Sequence, residues 1–310
     1  MKYKTESDIF VYKRKGRDQV GIRCVVLNQQ QQESIQKCGW VPDGLDFIPE
    51  KSVFFGAMTE QKKLAAVAIY SSARVMPGEV ELVYICTAKV WRGQEIGLQL
   101  LKMSEQLLQK RGIRKIYSEW HGSAEELQQV SGYLSKVGYR PTMEPAHFAI
   151  CPQGHFQNSA LEKLQKAQPK AWNAVEKIQD YYDRRLKKLL LKQETTGFYL
   201  TEEEFVPELC RFYIEEDEIR AAICMRYRSD GNLGTIKGYI SPALKYQYAM
   251  TMMIAVLIHD VQKVIKPGSK IYLKMYRKGF FESAKKLFGG IPEDIYFQEY
   301  ERTIEALRAD

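Results

Sequence analysis

Apolar residues recur along this chain at two spacings, and the switches between them outline an alternation of strands and helices. Ile96, Leu100, Leu101, Met103, Leu107 and Leu108 return every three to four residues, the signature of an amphipathic helix, and Gly112 ends it. The runs on either side, residues 79–90 and 113–120, are dense in β-branched and aromatic residues and read as strands. Residues 52–58 and 63–72 are two more strand runs, joined as a hairpin by a polar turn. Helices are expected at residues 25–38 and 123–138, and a last strand at 146–150. The order over residues 1–152 is α-β-β-β-α-β-α-β, an α/β (α+β) domain with a mixed central sheet.

Residues 153–196 read as a charged helical connector with a break at Pro169. Its apolar stripe includes Leu161, Leu164, Trp172, Val175, Ile178 and Tyr182 and must pack on something. Residues 197–310 repeat the first plan: a hairpin at 209–229, a strand at 235–241, a long buried helix at 243–265, a strand at 269–276, a helix at 280–290 and a final strand at 294–304. The letters agree weakly ("LAAVAIYSS" against "IRAAICMRYRS"), so the shared order of elements carries the inference of an internal duplication.

Composition narrows the class. The 310 residues are 45% hydrophobic and 27% charged, as in a globular protein of one large or two ordinary domains. The N-terminal stretch has no signal-peptide pattern, and the longest apolar run falls short of the ~20 residues of a membrane span, so a cytoplasmic protein is expected. The six cysteines show no C-x-x-C pair and are expected to be reduced core residues. No metal-ligand spacing, Walker sequence or nucleophile triad is present. The net charge of +8 favours an anionic partner.

The most informative stretch is "VWRGQEIGLQLL", residues 90–101, at a junction from strand to helix. Arg92, Gly93 and Gly97 stand where a phosphate-binding turn needs them. Helix N-terminal amides without partners and the helix dipole attract an anion there, and glycine lets backbone and ligand approach. Residues 8–150 resemble the GCN5-related N-acetyltransferases (GNAT), whose signature Q/R-x-x-G-x-G/A reads "RGQEIG" here. Arg92 takes the first position, Gly97 the last, and Glu95 replaces the middle glycine. The helix and strand after the signature, and "YLSKVGY" against the family's "F-Y-x-K-L-G-F", extend the resemblance. The third part has no such turn: Ser241-Pro242 stands there instead. The resemblance implies two acyl-CoA N-acyltransferase-like domains, 1–152 with the coenzyme A site and 197–310 without it.

It also implies acetyl-CoA or another acyl-CoA as co-substrate, a small-molecule or amino-acid-like amine as acceptor, and no metal. The cradle would be Arg92, Gly93, Gln94, Glu95, Ile96, Gly97 and Leu98, with the pantetheine arm along Ile85–Thr87. Three fates are open for Glu95: its carboxylate turns to solvent and its amide binds, the site takes another acyl donor, or the site is dead. For chemistry, Tyr133 is the candidate acid, one residue from the family's tyrosine position, which Leu134 occupies. Glu81 and His121 are candidate bases. Two other readings stand beside the N-acyltransferase: an aminoacyl-tRNA-using transferase, suggested by two halves and a basic connector, and a non-catalytic binding module. The second half could serve as scaffold, substrate wall or homodimer surface.

Overall fold

The computed structural model describes residues 10–12, 21–156, 175–176, 209–215, 218–240, 253, 257, 260–261, 263–276 and 278–304. Contacts divide it into two units. Unit 1 takes the described residues of Met1–Trp120, Glu125–Glu144 and Gln298–Asp310; unit 2 takes those of His121–Ala124 and Pro145–Phe297.

Unit 1 contains strands β1 (Phe10–Tyr12), β2 (Ile22–Val26), β3 (Ser52–Thr59), β4 (Leu64–Ser71), β5 (Glu79–Thr87), β6 (Lys115–Gly122) and β7 (Arg140–Pro141). Its helices are α1 (Gln29–Lys37), α2 (Ile96–Lys110) and α3 (Ala124–Ser135). The strands are arranged in the order β1 to β6, antiparallel except for the parallel pair β5–β6 that α2 connects. Strand β4 is buried on both faces, which explains its unbroken apolar run. Ala66, Ala68 and Tyr70 face Leu100, Leu101 and Leu107 of α2, while Val67 and Ile69 face Ile35, Phe47 and Phe54 on the α1 side. The alanines allow close approach of α2. Each fully buried leucine stabilises the unit by about 2 kcal/mol.

The helix expected at 25–38 is shorter, because Val25 and Val26 belong to β2, which alternates Ile22 and Cys24 inward. Neither β1 nor β2 is read from the sequence. The true start of α1 carries a capping box: the Asn28 side chain accepts from the Gln31 N–H and the Gln31 side chain accepts from the Asn28 N–H, each at 2.9 Å.

Unit 2 contains β8 (Ala146–Pro152), β9 (Val175–Glu176), β10 (Cys210–Glu215), β11 (Glu218–Tyr227), β12 (Leu233–Ile240) and β13 (Lys270–Met275), with helix α4 (Lys278–Leu287). A last strand, β14 (Glu293–Thr303), serves both units in turn. Up to Phe297 it pairs with β8 in unit 2; from Gln298 it pairs with β7 and neighbours β6 in unit 1. The unit 2 strands run β14-β8-β13-β12-β11-β10-β9, with β12–β13 parallel. Residues 253, 257, 260, 261, 263 and 264 are helical. Met253, Leu257 and Val261, spaced four apart, bury with Leu233, Ile271, Leu273 and Phe281. The repeated element order is thus visible in space.

A linear division at residue 152 is not the division the contacts make. Strand β8 sits in unit 2, and residues from Gln298 sit in unit 1. Chain order says nothing about which sheet edge receives a strand. In the expected connector, Val175–Glu176 form a strand against Phe212 and Tyr213 rather than a helix. Residues 153–156 form a short 3-10 turn, and the rest of 153–196 lies outside the described residues. All six cysteines are free thiols, but Cys38 is exposed and Cys86 half-buried rather than core. No described helix is long and apolar enough to cross a membrane, and no group of metal-ligating side chains occurs among the described residues.

Candidate active site

Strands β5 and β6 pair from Glu79↔Lys115 to Leu82↔Ser118 and then stop, although β5 continues to Thr87 and β6 to Gly122. The stop coincides with a bulge: Ile69 pairs with Tyr84 and Tyr70 with Leu82, so Val83 is an extra residue on β5. A bulge bends its strand and raises the local twist. At the parting point the buried Ser118 Oγ donates to Leu82 O at 2.8 Å, and Trp120 Nε1 donates to Ser118 Oγ at 2.7 Å.

Past Thr87 the chain makes a 3-10 turn at Lys89–Trp91. Arg92 Nε donates to Thr87 O at 3.2 Å, tying the turn to the strand end. Gly93 and Glu95 both hold left-handed backbone, with φ of 79° and 57°. Glycine takes that conformation freely; for Glu95 it costs about 1 kcal/mol. The neighbours over-determine it, since Ile96 and Leu98 are buried and Gln99 N donates to Glu95 O at 3.0 Å. Helix α2 then starts with no side-chain cap and no acidic residue in its first turn. The amides of Ile96, Gly97 and Leu98 therefore have no intrahelical acceptor.

These pieces line a cleft of about 420 Å³, within the range of small-molecule sites. Ile85, Cys86 and Thr87 of β5 form one wall. The turn supplies Trp91, Arg92, Gly93 and Glu95, and the start of α2 supplies Ile96 and Gly97. Trp120 of β6 and Gln129, Val130 and Tyr133 of α3 complete it. A methyl group on Gly97 would lie 2.4 Å from Tyr133 Oη and 2.8 Å from Thr87 Oγ1. Both hydroxyls thus converge on the one position of α2 that lacks a side chain. Burial pushes the Tyr133 phenol up, so it keeps its proton at neutral pH.

The Acetyltransferase (GNAT) family model matches residues 16–133 of this chain. The matched stretch is similar to that family from β2 through most of α3. Among solved structures, a tandem GNAT protein from the clavulanic acid biosynthesis pathway aligns over 93% of this chain and 100% of its own, at 11% identity and a TM-score of 0.55. A glucosamine N-acetyltransferase region of a fungal multi-domain β-N-acetylglucosaminidase aligns over 92% of this chain and 38% of its own, at 9% identity and a TM-score of 0.57. These two likenesses are of fold, and they extend over both units. No curated protein matches the chain.

Within the GNAT signature, Arg92, Gly93, Glu95, Ile96 and Gly97 all line the cleft, as do Ile85 and Thr87. Gln94 is exposed outside it, and Leu98 packs in the core instead. Glu95 is exposed at the cleft wall, and its left-handed backbone explains why the signature favours glycine there. Of the two neighbours in α3, Tyr133 reaches the cleft, while Leu134 is fully buried in the core. Glu81 does not line the cleft; it stands on the face of β5 opposite Val80 and Leu82, which pack toward α2. His121 belongs with unit 2, stacked on Phe148 at 4.2 Å. Trp91, Trp120, Gln129 and Val130 join the cleft without being read as site residues from the sequence. The last two stand four and three residues before Tyr133, so helical spacing could have found them.

Proposed function

We propose that the unit 1 cleft binds an acyl-coenzyme A and passes its acyl group to an amine. The observation that carries this reading is the uncapped start of α2, opening on a cleft where a protonated Tyr133 meets Gly97. When bound, the thioester supplies the acyl group and a thiolate leaving group. The first amides of α2 and its dipole hold the pyrophosphate, with Arg92 at the same turn. The edge of β5 beyond Leu82, no longer paired with β6, receives the pantetheine arm as an added strand. Tyr133 donates its proton to the leaving sulfur. Glu95 opposes the phosphate charge at the rim, where solvent screens it.

The amine must also lose a proton, and neither Glu81 nor His121 lines the cleft. That observation favours a second reading, in which the cleft binds acyl-coenzyme A without turning it over. The test incubates the full chain with acetyl-CoA and a panel of amines, recording the melting shift and thiol release. A melting shift with thiol release supports transfer; a shift without release for any amine supports the second reading; no shift with any acyl-CoA removes both.

A further inference from the structure

Trp120 is held differently from the other residues of the cleft. It stands two positions after Ser118 on β6, so strand alternation places both on the face that packs toward α2. Leu82↔Ser118 is the last pair of the two parallel strands, and Trp120 stands just beyond it, where the strands part. Its Nε1–H donates to Ser118 Oγ at 2.7 Å, and that hydroxyl donates to Leu82 O at 2.8 Å. The relay spans both strands at the vertex of the opening. Ser118 is only 2% exposed, so the indole's single donor is satisfied inside the protein. What remains is an apolar ring, fixed in orientation and lining the cleft.

The chain itself sets the direction along the cleft. The phosphate-binding turn lies after Thr87, so an arm running back along β5 passes Ile85 and approaches Leu82. Its reactive end therefore arrives at the vertex, where Trp120 sits. Resting on the acyl-coenzyme A reading of this cleft, we propose that Trp120 limits the cleft to short acyl groups of two to three carbons, and that Ser118 acts as a positioning residue for the indole.

The test measures dissociation constants of the full chain for coenzyme A and its acetyl, butyryl and octanoyl thioesters by calorimetry. The unaltered chain is expected to bind the octanoyl compound at least about 10-fold more weakly than the acetyl one, the scale of steric exclusion in an apolar pocket. Trp120→Ala is expected to erase that gap, and Ser118→Ala, which keeps the ring but frees it, to narrow it by about 3-fold, the weight of one hydrogen bond. If Trp120→Ala melts without cooperativity, Trp120→Leu replaces it. An unchanged order of chain lengths in the substituted chain, with coenzyme A still bound, overturns the role of Trp120 and leaves the acyl-coenzyme A reading intact. Equal affinity for acetyl and octanoyl compounds in the unaltered chain does the same. Failure of every compound, coenzyme A included, to bind overturns both.

Discussion

Among the described residues each unit shows one parallel pair of strands, and the two pairs differ in the turn that leaves the first strand. In unit 1, β5 and β6 pair over four positions and then part around a cleft. In unit 2, β12 and β13 pair at Leu233↔Ile271 and Gly234↔Tyr272, although β12 continues to Ile240 and β13 to Met275. Parting strands are therefore a property of the repeated fold. The turn is not: after β5 the chain holds Arg92, Gly93 and Gly97, whereas after β12 the sequence reads Ser241-Pro242 with no glycine in the residues just beyond. A backbone opening becomes a candidate anion site only where small residues and left-handed backbone let a helix start uncapped beside it.

Separating the units is expected to have the largest effect. A chain ending at residue 152 would lack Gln298–Ile304, which carry Tyr300 and Ile304 into the unit 1 core, the Arg302–Glu105 contact and the Lys115–Glu301 ion pair. It would also leave the β6 edge unpaired. We expect no cooperative melt from that fragment by circular dichroism, while the full chain melts cooperatively. A folded, cooperative fragment would show that the shared strand is dispensable.

Next in size is Gly97→Val. Its side chain would meet Tyr133 Oη and Thr87 Oγ1 and obstruct the proposed anion site. Coenzyme A affinity should fall at least about 100-fold by calorimetry, with the fold retained by circular dichroism. A substitution at Gly234 in the other parallel pair, which has room beside Arg228, should leave that affinity unchanged.

The unit 1 core buries Glu105 at 2% exposure. Burial pushes its carboxyl up from 4.5 to about 7, against the downward pull of the Arg302 charge. Arg302 Nε lies 3.0 Å from Oε2 but is not aligned for a hydrogen bond. The folded chain thus holds this proton more tightly than the unfolded chain, so the contribution of Glu105 worsens as pH rises from 4.5 to about 7. Glu105→Gln should remove that loss, on the order of 2–3 kcal/mol, and denaturant melts at pH 5 and pH 8 would read it. An equal effect of the substitution at both pH values would refute the assignment.

The smallest effect is expected for Glu95→Gly. It relieves left-handed strain and removes a carboxylate from the cleft wall. Stability should rise by about 0.5–1 kcal/mol and coenzyme A affinity by a few fold, most at low salt. A drop in both would mean that the Glu95 side chain supports the turn.

Much of this architecture was legible from local patterns. The hairpin β3–β4, the strand–turn–helix run through β5 and α2, and the hairpin β10–β11 all announce themselves by periodicity. Most residues of the turn that lines the cleft were legible too, because Gly93 and Gly97 mark conformations and close approaches that other residues resist. Strand β2 was hidden because its short alternation, Ile22 and Cys24, abuts the α1 pattern. The Asn28–Gln31 capping box, a signal present in the letters, separates them. Cleft residues on other elements, such as Trp120, carry no local mark of their role.

Local pattern alone was enough for the run of elements from β3 to α3 and for the glycine turn before α2, because these depend on side-chain spacing and on the backbone freedom of a few glycines. It took the tertiary structure to show that Tyr133 rather than Leu134 reaches the cleft, that Glu81 and His121 do not line it, and that β8 falls in unit 2 and the end of β14 in unit 1. Those outcomes depend on which helix face turns inward and which strand edges meet. Both are set by long-range packing, which no local pattern encodes.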